Sequence, residues 1–110
     1  METPMKKLPP DIVKKINKLF NSEVDKVKAK ELILTLWSEN LNVGAAQLAR
    51  SILIIANGDI NKIIEIKRDY YGDPRDVIMD AESRIGNPGH YFNEPFKDED
   101  YVEKTNWQND

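Results

Sequence analysis

The sequence predicts an all-α domain, a small bundle or orthogonal array of about five short helices with a C-terminal aromatic strap and an acidic tail. Three observations carry this. Apolar residues recur at helical spacing in five successive segments, cap and stop residues bound those segments, and the connections between them are short, with no convincing strand pattern.

The opening "METPMKKLPP" reads as a flexible N-terminus over residues 1–10. Pro9 and Pro10 disfavour helix before them and are tolerated where one begins. In "DIVKKINKLF", Ile12, Ile16, Leu19 and Phe20 fall on one face with lysines outside, the pattern of a short amphipathic helix. "NSEVDKVKAKELILTLWSEN" predicts a second helix, capped by Asn21 or Ser22, with Glu23 and Asp25 in the first turn where carboxylates complement the helix dipole. Its end, "LILTLW", is apolar nearly all round and predicts a central helix touched on several sides; its alternation also fits a strand, but the Lys, Ala and Glu upstream favour helix.

In "VGAAQLARSILIIANG", Ala45, Leu48, Ala49, Ile52, Leu53 and Ala56 form the inward stripe, and Asn57-Gly58 is a left-handed stop. Asp59 caps "INKIIEIKRDYY", whose Ile60, Ile63, Ile64 and Ile66 are expected to face inward. A turn of about three residues then forces these two helices into a corner or hairpin. "GDPRDVIMDAESRIGNP" supplies the strongest local signal: Asp73 as cap, Pro74 at the first helical position, an apolar stripe of Val77, Ile78, Ala81 and Ile85, and Gly86 as stop. It predicts a helix over 74–85. The helical domain is thus placed at 11–96, and the acidic, aperiodic "KDEDYVEKTNWQND" at 97–110 reads as a flexible tail.

Composition removes several chemistries. A chain of 110 residues suits one domain with a modest core. The absence of cysteine excludes thiol catalysis, disulfides and Cys-containing zinc sites, and a single histidine, His90, excludes two-His metal sites, so no cofactor or metal is expected. The longest apolar run, "SILIIA", falls far short of the roughly 20 residues needed to span a bilayer, and "METPMKKLPPD" contains no apolar signal-peptide core. The expectation is a soluble, cytoplasmic protein without membrane contact. Net charge is −3 but uneven, +3 over residues 1–50 and −6 over 51–110, which points the second half towards a basic partner or towards plain solubility.

Four constellations are candidate sites. In "ESRIGNPGHYFNEPF", His90 beside Tyr91, with Glu82 and Glu94 nearby, has the residue types of an acid–base pair. No nucleophile or phosphate loop accompanies it. The favoured reading makes Gly86 to Gly89 turn punctuation and Tyr91, Phe92 and Phe96 a lid packed on the bundle. In "KRDYYGDPRD", Tyr70 and Tyr71 flanked by Asp69, Asp73 and Asp76 combine aromatic area with negative charge, as an interface for a basic partner does, although tyrosines also cover cores with their hydroxyls in water. "ENLNVGAAQLARSIL" fits the turn and second helix of a helix-turn-helix, with Gln47 and Arg50 able to reach base edges, but only Arg50 is cationic between Lys30 and Lys62. The tail acids Asp98, Glu99, Asp100 and Glu103 lack calcium-loop order and read as a solvated face.

"DYYGDPRDVI" followed by "GNPGHYF", within residues 69–92, resembles the small acidic helical immunity proteins that neutralise bacterial nuclease toxins. The resemblance implies an inhibitor whose Tyr70, Tyr71 and neighbouring acids meet the toxin. The expected function is therefore non-enzymatic binding of another protein through an acidic and aromatic surface of Asp69, Tyr70, Tyr71, Asp73, Asp76, His90 and Tyr91. An immunity-like inhibitor and a nucleic-acid-associated protein using Gln47 and Arg50 are the alternatives.

Overall fold

The computed structural model describes residues 8–39, 43–69 and 73–96. Among them are five α-helices and no strand: α1 (Pro10–Leu19), α2 (Glu23–Leu34), α3 (Ala45–Ala56), α4 (Ile60–Asp69) and α5 (Pro74–Arg84), with a 3₁₀ turn at Thr35–Ser38. The all-α expectation holds in number, order and nearly every boundary. Tyr70, Tyr71 and the 97–110 tail lie outside the described residues.

The helix ends follow from local chemistry. Pro10 opens α1, and Ile12 N–H and Val13 N–H both donate to the Pro9 carbonyl (3.0 and 3.1 Å). At α2 the Ser22 hydroxyl oxygen accepts from Asp25 N–H at 3.1 Å. At α3 Gly44 N–H donates to Gln47 Oε1 at 3.0 Å, so a side chain three residues into the helix takes over part of the cap. Asp59 Oδ1 accepts from Asn61 N–H and Lys62 N–H (2.9 and 3.3 Å) at the start of α4. Asp73 caps α5 by accepting from Arg75 N–H at 3.1 Å, with Pro74 next to it. At the far end of α5, Asn87 N–H returns to the Glu82 carbonyl at 2.9 Å around the left-handed Gly86.

The centre of the bundle is α3, where every residue from Leu48 to Ala56 is buried. It packs on α5, α4, α1 and the 3₁₀ turn. The apolar end of α2 was expected in that role; instead only Ala29 and Ile33 of α2 are buried, with Leu36 just beyond it. The chain tightens at this point because side chains take the terminal carbonyls. Leu32 C=O accepts the Thr35 hydroxyl (2.8 Å) and the Lys67 ammonium (3.0 Å), and Ser38 hydroxyl donates to Thr35 C=O at 3.0 Å. Lys67 also contacts the Thr35 hydroxyl and pairs with Glu39 at 3.3 Å, stapling α4 to the end of α2. Along α4, Ile63 and Ile66 are buried and Ile60 is half-buried, but Ile64 is exposed, because four isoleucines span a wider arc than one helix contact can cover.

The α3–α4 corner depends on Asn57 and Gly58, both at positive φ (47° and 92°). A Cβ on Gly58 would lie 2.6 Å from the Leu19 carbonyl oxygen, so the corner also needs bare backbone against the end of α1. Gly58→Ala is therefore expected to destabilise the protein by roughly 1–3 kcal/mol, read as a lowered urea midpoint with an unchanged slope.

Candidate functional site

The candidate residues separate into two places. Asp69, Asp73 and Asp76 come together on an open groove between α4 and α5 with a volume of about 430 Å³. Glu65 and Asp80 join them, giving, among the described residues, five carboxylates around a floor of Ile55, Ile66 and Val77, with Lys62 as the one cation that lines it. Glu65 and Asp69 sit four apart on α4, while Asp73, Asp76 and Asp80 sit three and four apart at and along α5, so each set follows one helix face. That spacing was the available signal for Glu65 and Asp80.

The groove's charges are solvated. Lys62–Glu65 (3.3 Å), Arg68–Asp69 (3.8 Å), Arg75–Asp73 (3.2 Å) and Arg84–Asp80 (3.2 Å) are all local pairs on well-exposed side chains, which contribute little to stability. Asp76 makes no ion pair among the described residues. Hydrogen bonds from the Arg75 side chain and then from its backbone N–H hold Asp73 below the ordinary carboxylate range. No group of three or more His, Asp or Glu side chains among the described residues is placed to hold a metal ion.

His90, Tyr91, Gln47 and Arg50 lie in a second place, under and within the strap. Arg50 points into the protein. Its Nε and Nη2 donate to the two carboxylate oxygens of Asp11 (2.9 and 3.3 Å), and Nη1 donates to the Phe92 carbonyl at 2.9 Å. The side chains of Arg50 and Asp11 are only 7% and 12% exposed. Gln47, half-buried, donates from Nε2 to the Tyr91 carbonyl at 3.1 Å, so both residues of the proposed base-reading pair are engaged by the strap. The same Asp11 oxygen that meets Arg50 Nε accepts from Phe96 N–H at 3.1 Å. Glu82, buried on α5, accepts from Tyr91 N–H at 2.7 Å, a short charge-assisted bond. Sequence reasoning missed Asp11, and it weighed Glu82 only as an acid near His90.

Phe92 is fully buried and Phe96 nearly so, with the Lys15 ammonium 5.0 Å from the Phe96 ring centroid. His90 packs edge-on against Phe92 at 4.6 Å, and its Nδ1 lies 3.4 Å from the Asn87 amide nitrogen. The lid expectation thus holds for Phe92 and Phe96. Tyr91 departs from it and is exposed, because positive φ at both Tyr91 (63°) and Phe92 (57°) turns the chain sharply between them. Two bulky residues in that region cost on the order of 1 kcal/mol each or more, which the four side-chain bonds offset.

Removing Arg50 would leave Asp11 buried without its cation and the Phe92 carbonyl without its donor. Arg50→Ala is expected to cost about 3–5 kcal/mol, and Arg50→Lys to recover only part of it because an ammonium cannot reproduce the fork; urea unfolding checks both. For Asp73, the lowered folded-state pKa means that its stabilisation is complete above the unfolded value and is lost as pH falls through the folded one. Between about pH 5 and pH 2, spanning the ordinary carboxylate range, the wild type should lose more stability than Asp73→Asn does. Compared with known proteins, the chain matches no protein-family model, no curated protein and no solved structure.

Proposed function

We propose that this chain is a non-enzymatic helical domain that binds a basic segment of another protein along the α4–α5 groove. The observation that carries the reading is the meeting, among the described residues, of five carboxylates from α4 and the start and length of α5 around an apolar floor. Four of these acids have a neighbouring cation, Lys62, Arg68, Arg75 or Arg84, in exposed pairs that are weak enough to exchange for an approaching lysine or arginine. Asp76 has none among the described residues, and the floor of Ile55, Ile66 and Val77 provides area for an apolar anchor. Tyr70 and Tyr71 follow Asp69 directly in sequence and are residue types favoured at protein interfaces. The internal engagement of Gln47 and Arg50 favours this reading over the nucleic-acid one. An inhibitor of a basic nuclease, as the immunity-protein resemblance implies, is one form that such a binder would take.

The test is fluorescence anisotropy with a labelled Lys/Arg-rich peptide carrying one leucine, against its acid-substituted counterpart. The basic peptide should bind, and more weakly as salt rises and screening shortens. Asp76→Lys/Asp80→Lys should weaken it by roughly tenfold or more. Both sites are exposed, so the protein should stay folded, with its unfolding midpoint lowered by the loss of the first-turn acid and of the Asp80–Arg84 pair. The control Glu23→Lys, on α2, should bind as wild type. Equal affinity for all three proteins would remove the groove as the binding surface.

A further inference from the structure

We infer that residues 90–96 occupy, as a built-in ligand, a peptide-binding slot formed by α1, α3 and α5, and that this slot accepts from a partner protein a peptide of the same chemistry. That chemistry is an irregular backbone carrying two aromatic side chains four residues apart. The inference does not depend on the α4–α5 groove.

The contacts address the strap as a receptor addresses a peptide. Gln47 and Arg50 donate to the carbonyls of Tyr91 and Phe92, while Glu82 and Asp11 accept from the N–H groups of Tyr91 and Phe96. All four contacts go to main chain, which supplies affinity without regard to side-chain identity. Specificity falls to Phe92 and Phe96, the two buried members, whereas Tyr91, Asn93, Glu94 and Pro95 are exposed.

The receptor side is organised without the strap. Arg50 is oriented by its fork with Asp11, and Gln47 by Gly44 N–H, both within the helices. If the strap leaves, Arg50 keeps Asp11 and Gln47 keeps Gly44, and the donors and acceptors released from the strap face an open slot. The strap also has a hinge and a reason to yield. Gly86 and Gly89 both take positive φ, and nothing lies within 4 Å of where a Gly89 Cβ would be. Seating the strap holds Tyr91 and Phe92 at positive φ, which a partner peptide with a residue suited to that region avoids.

The experiment uses the full chain with Phe92→Ala/Phe96→Ala, which removes the anchors and leaves Asp11, Gln47, Arg50 and Glu82 intact. The probes are labelled peptides GHYFNEPF, GHYSNEPS, and two forms of the first with L-alanine or D-alanine at the tyrosine position. A variant that remains helical should bind GHYFNEPF at least tenfold more tightly than wild type does and should not bind GHYSNEPS. The D-alanine peptide should bind severalfold more tightly than the L-alanine peptide, because a D-residue prefers positive φ. Wild-type protein provides a second reading that requires no substitution: saturating D-alanine peptide should speed hydrogen exchange at the Tyr91 and Phe96 amides and leave the α3 amides protected. A folded variant that binds no peptide, equal affinity for the D- and L-alanine forms, or unchanged exchange in the wild type would each overturn the inference. A peptide-resistant, concentration-dependent dimer of wild-type chains would overturn it in favour of strap exchange between copies.

Discussion

The Asp11–Arg50 pair ties together three parts of the chain that are far apart in sequence. It joins the first turn of α1 to the middle of α3, and each partner then reaches one end of the strap, Arg50 at the Phe92 carbonyl and Asp11 at the Phe96 N–H. A buried ion pair by itself is a poor source of stability, because the cost of removing two charges from water approaches or exceeds their attraction. The balance improves when the atoms not used in the pair find other partners. Here the strap provides them, and no buried side-chain nitrogen or oxygen among the described residues lacks a hydrogen-bond partner. The strap therefore adds to a pair that α1 and α3 already hold: the pair fixes the strap's main chain, and the strap takes the place of water on the atoms that the fork leaves over.

This arrangement explains why α3 is buried along nearly its whole length although its sequence is amphipathic. On a two-layer reading, Gln47, Arg50 and Ser51 belong to the wet side. The strap, arriving from about forty residues further on, covers that side, and the polar residues become anchors for it, while Ser51 satisfies its hydroxyl on the Gln47 carbonyl at 2.9 Å. With its other faces taken by α1, α4 and α5, the helix has little surface left. Much of the outer surface left to the second half falls to α4 and α5, where acids and bases alternate.

Most of the fold was legible because its boundaries are set by interactions within four or five residues. Asp73-Pro74, Asp59, Ser22 and Asn57-Gly58 place their helix ends by hydrogen bonds and φ preferences that depend on no distant partner. The failures share the opposite property. Arg50 meets residues 39 and 42 positions away, and Lys67 reaches back to Leu32 and Glu39 to end α2 in a 3₁₀ turn. Ile64 was assigned inward by periodicity alone, which fixes direction around a helix but not how wide an arc the neighbours cover. The candidate site divides in the same way. Asp69, Asp73 and Asp76 were legible as a charged face of one local segment, whereas the separation of His90 and Tyr91 from them required knowing where α3 and α5 direct the strap.

The groove and the strap slot place charged residues under different physics. In the groove, carboxylates and their arginine and lysine neighbours stand in water, where a pair at 3 to 4 Å is worth little and its field is screened within about 10 Å at ordinary salt. Its effect is long-ranged attraction of an opposite charge, which discriminates by net sign more than by sequence. In the slot, Asp11, Arg50 and Glu82 are shielded, so each hydrogen bond is strong and directional, and an unfilled acceptor is costly. Such a site discriminates by the placement of carbonyl and N–H groups and by the fit of two aromatic rings. The acids of the second half are therefore not one population: Glu82 uses its charge to fix a backbone, and the groove acids turn theirs to solvent and to whatever approaches through it.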